Sequence, residues 1–464
     1  MTSAACAGIV LLGVAVVPSR ALQPYEATIP GDHPALGLRN RAPDNAVHEL
    51  EFRLADGRTT WSPAGDSTGY LQTLLDRLDI NADSQVLVFS RTSLQRQAIS
   101  PRRPRAIYFN DEVAVAFVPG SDRIELAAVD PGLGVAFYEL EAVRGSRPRL
   151  MRSTGCLRCH HGPATLGVPG LYVGSVFPSP SGEPNFGLGT IVTDHRTPLA
   201  ERWGGWYVTG THGAQSHRGN AVARDPARPG LLDVAGARNQ TGLARKADTS
   251  RYLQPGSDIV ALMVLEHQTQ MTNHLTRLAW LARLQATAVE SATGGARRPG
   301  DRTAASSVDR GGEVGIAHRP GAPNARLDHW IEETVAYLLF SDEAALADPI
   351  AGVSTFTATF PRRGPHDARG RSLRDFDLQT RLFRYPLSYL IYGRAFDALP
   401  DGVRERVYAG LYEVLTGADR RERFRHLTES DRQAIRDIVA ETKPNLPPFW
   451  LAGSARSPDA PAAP

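Results

Sequence analysis

The chain of 464 residues has little cysteine, little methionine, no large net charge and no long apolar run. Three cysteines are too few for a disulfide-rich fold, and they provide no second cysteine pair for a zinc knuckle. The 52 basic and 49 acidic residues nearly balance, which argues against nucleic acid as a partner. Apart from a short N-terminal stretch, no apolar run approaches the length of a membrane helix. The length and composition indicate a globular chain with two or three domains.

The short apolar stretch at residues 9–17 predicts a signal peptide, and we expect residues 1–21 to be removed. The stretch departs from the usual pattern because no Lys or Arg precedes it, and a buried N-terminal strand is the alternative. Cleavage would remove Cys6, so that Cys156 and Cys159 would be the two thiols of the mature chain. We therefore expect a periplasmic or secreted protein whose mature chain has no membrane span.

The two remaining cysteines belong to a C-x-x-C-H motif, Cys156-Leu157-Arg158-Cys159-His160. Two thiols three positions apart can each add to one of the two vinyl groups on one edge of a porphyrin. The histidine that follows is then held beneath the iron. A redox dithiol and half of a metal site are the alternative interpretations. Proline and glycine follow the motif closely, which argues against the long helix that a thioredoxin-like dithiol would begin.

The motif resembles the haem-attachment sequence of c-type cytochromes, and the resemblance covers residues 156–160. It implies one covalent haem c, with thioethers at Cys156 and Cys159 and with His160 as an axial ligand of the iron. Haem c is attached outside the bacterial inner membrane, which agrees with the predicted export. A single motif does not match the two-haem cytochrome c peroxidases, and the chain is much longer than a small soluble cytochrome c.

The sixth position of the iron would decide whether the protein only transfers electrons. His217 is the first candidate ligand and His212 the second, because both lie in a glycine-punctuated loop that follows an aromatic cluster. His267, in the middle of a predicted helix, is the third candidate. A turn position for the two loop histidines and a core position for His267 are the competing interpretations. Met263 and Met271, one turn from His267, are weaker candidates.

Other polar and aromatic side chains of this region are candidate pocket residues. Arg binds carboxylates bidentately and so suits the two haem propionates, although a solvated position is the simpler interpretation for each arginine. The arginines nearest in sequence are Arg158, Arg196, Arg202 and Arg218. Trp203 and Trp206 are candidates to stack on the porphyrin edge, or else belong to the core. Glu266 is a candidate distal acid–base, with an exposed helix position as the simpler interpretation.

The pattern of apolar residues predicts an α+β fold. We expect a mixed or mostly β module at 46–150, a loop-rich haem-binding region with a long helix at 151–290, and a helical C-terminal region at 327–450. The composition predicts a flexible linker or insertion at residues 291–326 and a disordered tail at residues 453–464. Predicted strands are 47–54, 85–89, 106–109, 113–118, 124–129 and 135–143. Predicted helices are 69–78, 258–287, 328–340, 376–390, 401–415 and 428–442.

These patterns predict an exported, single-haem c-type cytochrome that exchanges electrons with redox partner proteins. The alternative is a haem c enzyme, a peroxidase or another oxidoreductase, with an open or displaceable sixth iron position and a small-molecule substrate. A gas or redox sensor is a third class, and the sequence contains no recognisable signalling domain to favour it.

Overall fold

The computed structural model describes residues 28–61, 67–142, 148–294 and 325–452. The predicted signal peptide with Cys6, most of the predicted 291–326 linker and the predicted 453–464 tail lie outside these residues. Within them the fold is α+β, as the sequence predicts, with an antiparallel sheet from the first half of the chain and helices from the second half. In the described ranges, no helix is long and apolar enough to cross a membrane.

The described part of the chain contains eleven strands and ten α-helices. The strands are β1 (Val86–Val88), β2 (Arg105–Phe109), β3 (Val113–Phe117), β4 (Arg123–Asp130), β5 (Gly134–Glu141), β6 (Arg149–Arg152), β7 (Val173–Ser175), β8 (Ile191–Thr193), β9 (Trp206–Tyr207), β10 (Gly210–Thr211) and β11 (Ala351–Gly352). The helices are α1 (Ala46–Ala55), α2 (Ser67–Arg77), α3 (Leu157–His160), α4 (Ile259–Gly294), α5 (Ala325–Leu338), α6 (Phe356–Thr359), α7 (Arg394–Asp397), α8 (Asp401–Thr416), α9 (Glu429–Thr442) and α10 (Pro448–Ala452).

The main sheet has seven strands in the order β6-β5-β4-β3-β2-β1-β9. Strands β1 to β6 form an antiparallel meander, in which each strand pairs with the next along the chain. Strand β9 comes from the predicted haem-binding region and pairs with β1, with Tyr207 opposite Leu87. The predicted 46–150 module therefore shares its sheet with the segment that follows the motif.

The two faces of this sheet are covered differently. Because side chains alternate along a strand, Tyr108, Val115 and Phe117 point to one face, where α1 and α2 pack on them. Side chains of the other face, such as Val88 and Phe109, belong to a larger core built on α4 and on helices α5, α8 and α9. We call this second side the α4 face. The α4 helix is thus the element that joins the sheet to the C-terminal helices.

Helix α4 begins with an N-terminal cap at Asp258. Its carboxylate Oδ1 accepts the backbone N–H of Val260 at 2.8 Å and that of Ala261 at 3.2 Å. These two bonds satisfy amide groups that have no partner within the first helical turn. The helix continues seven residues beyond the predicted end, to Gly294.

Residues 46–55 form helix α1, so the predicted strand at 47–54 was wrong. The apolar residues Val47, Leu50 and Leu54 recur at helical spacing and are buried together. Asn45 caps the helix by accepting the backbone N–H of His48 at 3.0 Å.

The predicted helix at 376–390 was also wrong. The Asp377 carboxylate accepts the backbone N–H of Thr380 at 2.6 Å, which closes a turn at the start of the segment. Leu378 adopts a φ of 56°, which a right-handed helix does not contain. Pro386 has no N–H to donate, so it would also break a helical ladder.

The other predicted strands and helices are confirmed, with small differences at their ends. Strand β5 ends at Glu141, and residue 143 of the predicted 135–143 strand lies outside the described residues. Strand β6, which leads directly into the motif, was not predicted.

Candidate functional site

The three motif residues lie on a single helical turn. Helix α3 follows β6 closely, and the backbone N–H of His160 donates to the carbonyl of Cys156 at 3.0 Å. Both cysteines are free, with Cys156 half-buried and Cys159 exposed. Burial is the main cause that raises the pKa of Cys156, and the nearby carboxylates of Glu125 and Glu139 raise it further. Cys156 is therefore a neutral thiol at pH 7.

The imidazole of His160 is fixed in one tautomer. Its Nδ1 lies 3.0 Å from the carbonyl oxygen of Gly170, and a carbonyl only accepts, so Nδ1 carries the proton. Nε2 then has the free lone pair, and it makes no hydrogen bond within the described residues. Burial, and to a smaller extent the positive charge of Arg105, lowers the pKa of His160 to about 4 against the opposing bond to Gly170. The ring is thus neutral at pH 7, with one nitrogen available as a ligand.

Two aromatic rings are in contact with His160. The ring centroid of Phe137, on β5, lies 5.1 Å from that of His160, and the ring centroid of Tyr172 lies 5.4 Å away. These contacts and the Gly170 carbonyl hold the imidazole in place. Neither Phe137, Tyr172 nor Gly170 was identified from the sequence.

Gly170 has room for no side chain, which gives a first testable prediction. A Cβ at this position would lie 1.9 Å from Oδ1 of Asn273, whose amide is held by the carbonyl of Leu171 at 2.8 Å. We expect Gly170→Ala to lower the free energy of unfolding by on the order of 1–3 kcal/mol, because the loop must shift. The measurement is denaturant unfolding, with Gly162→Ala as the control, since a Cβ at Gly162 would meet nothing within 4 Å. Equal losses in the two variants would contradict the prediction.

The motif turn packs on β4 and β5 of the α4 face. Cys156, Leu157 and Leu171 lie against the buried cluster of Ala127, Val135 and Phe137. This contact positions the motif beside the middle of the sheet.

Next to the motif, part of the central sheet is only half covered. Strand β3 is the middle strand of the seven, and its side chains on the α1 side are buried. On the α4 face, however, Ala114 and Ala116 of β3 and Ile107 of β2 are half-buried, with Ile107 directly opposite Ala116. We call these three side chains the shelf. It is an apolar, partly open surface in a place where a covered sheet is normally closed, and two of its three side chains are alanines.

His212 and His217 lie close to each other, in a cluster of their own. Their ring centroids are 4.7 Å apart, and the ring of His217 lies 5.4 Å from that of Trp203. The backbone N–H of Asn239 donates to Nε2 of His212 at 3.0 Å. Both histidines are buried, and their ring contacts do not include His160. Burial lowers the pKa of His217 to about 3.

His267, a residue of α4, lies in a third cluster, on the side of α4 that faces the C-terminal region. Its Nδ1 is 3.0 Å from Nδ1 of His195, and its Nε2 is 2.9 Å from the hydroxyl of Ser388. Its ring also stacks on Phe340, with centroids 4.2 Å apart. Both nitrogens therefore already have protein partners. The structure brings His212 and His217 together but places neither them nor His267 against His160, and the sixth ligand stays a prediction.

Glu266 is fully buried, so the expectation of an exposed helix position was wrong. It forms an ion pair with Arg202 and accepts the indole N–H of Trp203 at 3.0 Å. Burial raises the pKa of Glu266 to about 7.

The four arginines proposed for the propionates are not gathered at the motif. Arg202 is held by Glu266, and Arg196 forms an ion pair with Asp194. Arg218 stacks on the ring of Phe177, with its guanidinium carbon 4.8 Å from the centroid. Arg158, inside the motif, is exposed.

Trp206 donates its indole N–H to the carbonyl of Gly174 at 2.8 Å, and both Trp203 and Trp206 belong to the main core. The aromatic cluster is thus core packing, which was the competing interpretation for these two residues.

Comparisons of the chain with family models, with curated protein sequences and with solved structures found no match. Nowhere in the described ranges do three or more His, Cys, Asp or Glu side chains gather so that they could hold a metal ion. The function therefore has to be argued from the geometry of the motif and the shelf.

Proposed function

We propose that this protein is an exported, single-haem c-type cytochrome that transfers electrons between redox partner proteins. The observation that carries the proposal is the arrangement of His160: a neutral imidazole, fixed by Gly170, whose Nε2 has no hydrogen bond in the described residues. Its turn packs on Ala127, which lies opposite Ala114 of the shelf. An axial iron ligand needs this tautomer, and metal-bound histidines usually donate their other N–H in this way. The donor set of two free thiols and one such histidine fits haem c.

Formation of the thioethers would consume no oxidant. Each thiol would add across one vinyl double bond of the haem, with the sulfur on one vinyl carbon and the thiol hydrogen on the other. Cys156 and Cys159 are both free for this addition. Positions i and i+3 of a helical turn lie on one face, so the turn would present both thiols to one edge of the porphyrin.

The surrounding residues would set the properties of the bound group. The haem would supply the one-electron change of its iron. His160 would hold the iron from one side, and Gly170 would keep the imidazole oriented. The shelf residues Ile107, Ala114 and Ala116 would exclude water from the flat apolar surface, which reduces the polarity around the iron.

A haem c enzyme with an open or displaceable sixth position is the second candidate. The observation that favours it is the placement of the predicted sixth ligands. His212, His217 and His267 all lie in clusters that are separate from His160. An iron without a strong sixth ligand would bind small molecules, as a peroxidase or another oxidoreductase requires.

The test is to express the full chain with the haem c maturation machinery and to look for haem that stays on the chain after denaturation. We expect covalent haem in the wild type and in Arg158→Gln, which changes only an exposed residue inside the motif. We expect its loss in the Cys156→Ala/Cys159→Ala double variant. A wild-type chain without covalent haem would overturn the proposal. Carbon monoxide then separates the two candidates: a reduced protein that does not bind it transfers electrons, and one that binds it readily supports the enzyme.

A further inference from the structure

One ion pair of the α4 face lies beside the motif. Arg105 begins β2 and, two residues before Ile107, points to the same side of the sheet as the shelf. Its guanidinium reaches across β3 to Glu125 on β4, with Nη1 3.1 Å from Oε2. The side chains of Arg105 and Glu125 are 19% and 17% exposed, so the pair is largely withdrawn from water.

The guanidinium of Arg105 is only partly used. Glu125 accepts a hydrogen bond from Nη1 of Arg105. Nε of Arg105 is buried and has no hydrogen-bond partner in the described residues. The Nε and Nη2 hydrogens of an arginine form a parallel pair that matches the two oxygens of a carboxylate. An arginine at this depth with that edge unpaired has the geometry of a carboxylate-binding residue.

The strand register places this ion pair beside the motif. Glu125 precedes Ala127 by two residues on β4, so the two side chains share one face of the sheet. Ala127 belongs to the buried cluster against which Cys156 and Leu157 pack. Arg105, which reaches Glu125 from β2, therefore lies between the shelf and the motif.

We propose that Arg105 binds a propionate of the haem through its Nε–Nη2 edge while Nη1 remains paired with Glu125. The proposal rests on the proposed function, because the carboxylate belongs to the haem. The sequence offered Arg158, Arg196, Arg202 and Arg218 as candidates for the propionates, and of these Arg196 and Arg202 are held by Asp194 and Glu266. The motif cysteines would then hold the haem at its vinyl groups, Arg105 would bind a propionate, and the shelf would supply apolar contacts.

The test compares variants of the haem-loaded protein. In Arg105→Gln the thioethers do not depend on the arginine, so covalent haem should remain. The midpoint potential should fall, because loss of a nearby positive charge favours the oxidised iron. The resonance Raman bending modes of the propionates should shift as well. Arg105→Lys keeps the charge but not the paired edge, so it should restore most of the potential and still shift the bending modes.

The matched control is Arg123→Gln, on the same sheet. Arg123 pairs with Glu139 and Glu141 and is 49% exposed, so its removal changes the charge of the face without touching the proposed contact. The inference is overturned if the potential and the bending modes of Arg105→Gln match those of Arg123→Gln while haem remains attached. A wild type without covalent haem would instead overturn the proposed function, and this inference with it.

Discussion

Arg202→Met is expected to lower the free energy of unfolding by about 3–5 kcal/mol, because it leaves a buried carboxylate without its cation. Glu266 is fully buried and Arg202 is 2% exposed. Besides the ion pair, Arg202 donates from Nε to the carbonyl of Thr197 at 2.6 Å and from Nη2 to that of His195 at 2.9 Å. Methionine fills a similar volume but replaces none of these bonds. The remaining partners of Glu266 would be the indole N–H of Trp203, at 3.0 Å, and the side chain of Thr193.

The double variant Arg202→Met/Glu266→Gln separates the charge from the packing. A neutral amide needs no cation, so the double variant should recover part of the lost stability. The control is Arg425→Met, whose partner Glu422 is 80% exposed, and a change of at most about 1 kcal/mol is expected there. Denaturant unfolding measures all three. Equal losses for Arg202→Met and Arg425→Met would show that the buried pair is not an important source of stability.

The loss in Arg202→Met should also depend on pH. Burial already raises the pKa of Glu266 to about 7 with the arginine present, and removal of the arginine raises it further. Glu266 would then be protonated near neutral pH and would no longer need a cation. Relative to the wild type, the variant should therefore lose less stability at pH 6 than at pH 8.

The fold shows what short patterns can and cannot predict. The meander was predictable because strands such as β3 and β4 contain β-branched residues and are separated by turn residues. The error at α1 arose because Leu50, Phe52 and Leu54 alternate with charged residues as in a strand, whereas Val47, Leu50 and Leu54 recur at helical spacing. The cap at Asn45 was the signal that distinguishes the two, since its side chain accepts an N–H of the first turn.

The error at 376–390 has a different cause. Tyr385 and Tyr389 occur at helical spacing, but each is buried by contacts with other parts of the chain rather than by a helix of its own. The aromatic ring of Tyr389, for example, packs on Phe360, with centroids 5.1 Å apart. Burial by residues that are distant in the sequence can therefore produce helical spacing without a helix. Pro386, within the segment, was the feature of the sequence that argued against a helix.

The motif itself could be predicted from the sequence, whereas its surroundings could not. Cys156, Cys159 and His160 are adjacent in the chain, so their spacing alone carries the chemistry. Phe137 and Arg105 reach the motif only because β5 and β2 belong to the same sheet. The candidate sixth ligands His217, His212 and His267 were ranked by the loop or helix in which each lies. The neighbouring sequence does not show which other side chains each histidine contacts in the fold.

The second large effect is expected in acid, where buried histidines should make the protein unfold. Burial lowers the pKa of His217, His267 and His274 to about 3, and it holds that of His195 well below its ordinary value. In the unfolded chain these side chains titrate near 6.5. As the pH falls from 6.5 toward 3, the unfolded chain therefore binds protons that the folded chain does not. Each such histidine lowers the free energy of unfolding by about 1.4 kcal/mol per pH unit in this range.

A substitution at His274 measures the contribution of one buried histidine to this pH dependence of stability. Its Nδ1 is buried without a hydrogen-bond partner in the described residues, and its ring stacks on Tyr337 with centroids 4.6 Å apart. His274→Phe keeps a stacked ring and removes the titrating group, so the slope of stability against pH between 6 and 4 should become less steep by about one proton. His329→Phe, at an exposed position on α5, is the control and should keep the wild-type slope. An unchanged slope in His274→Phe would contradict the prediction. It would mean that the imidazole of His274 is already protonated in the folded protein.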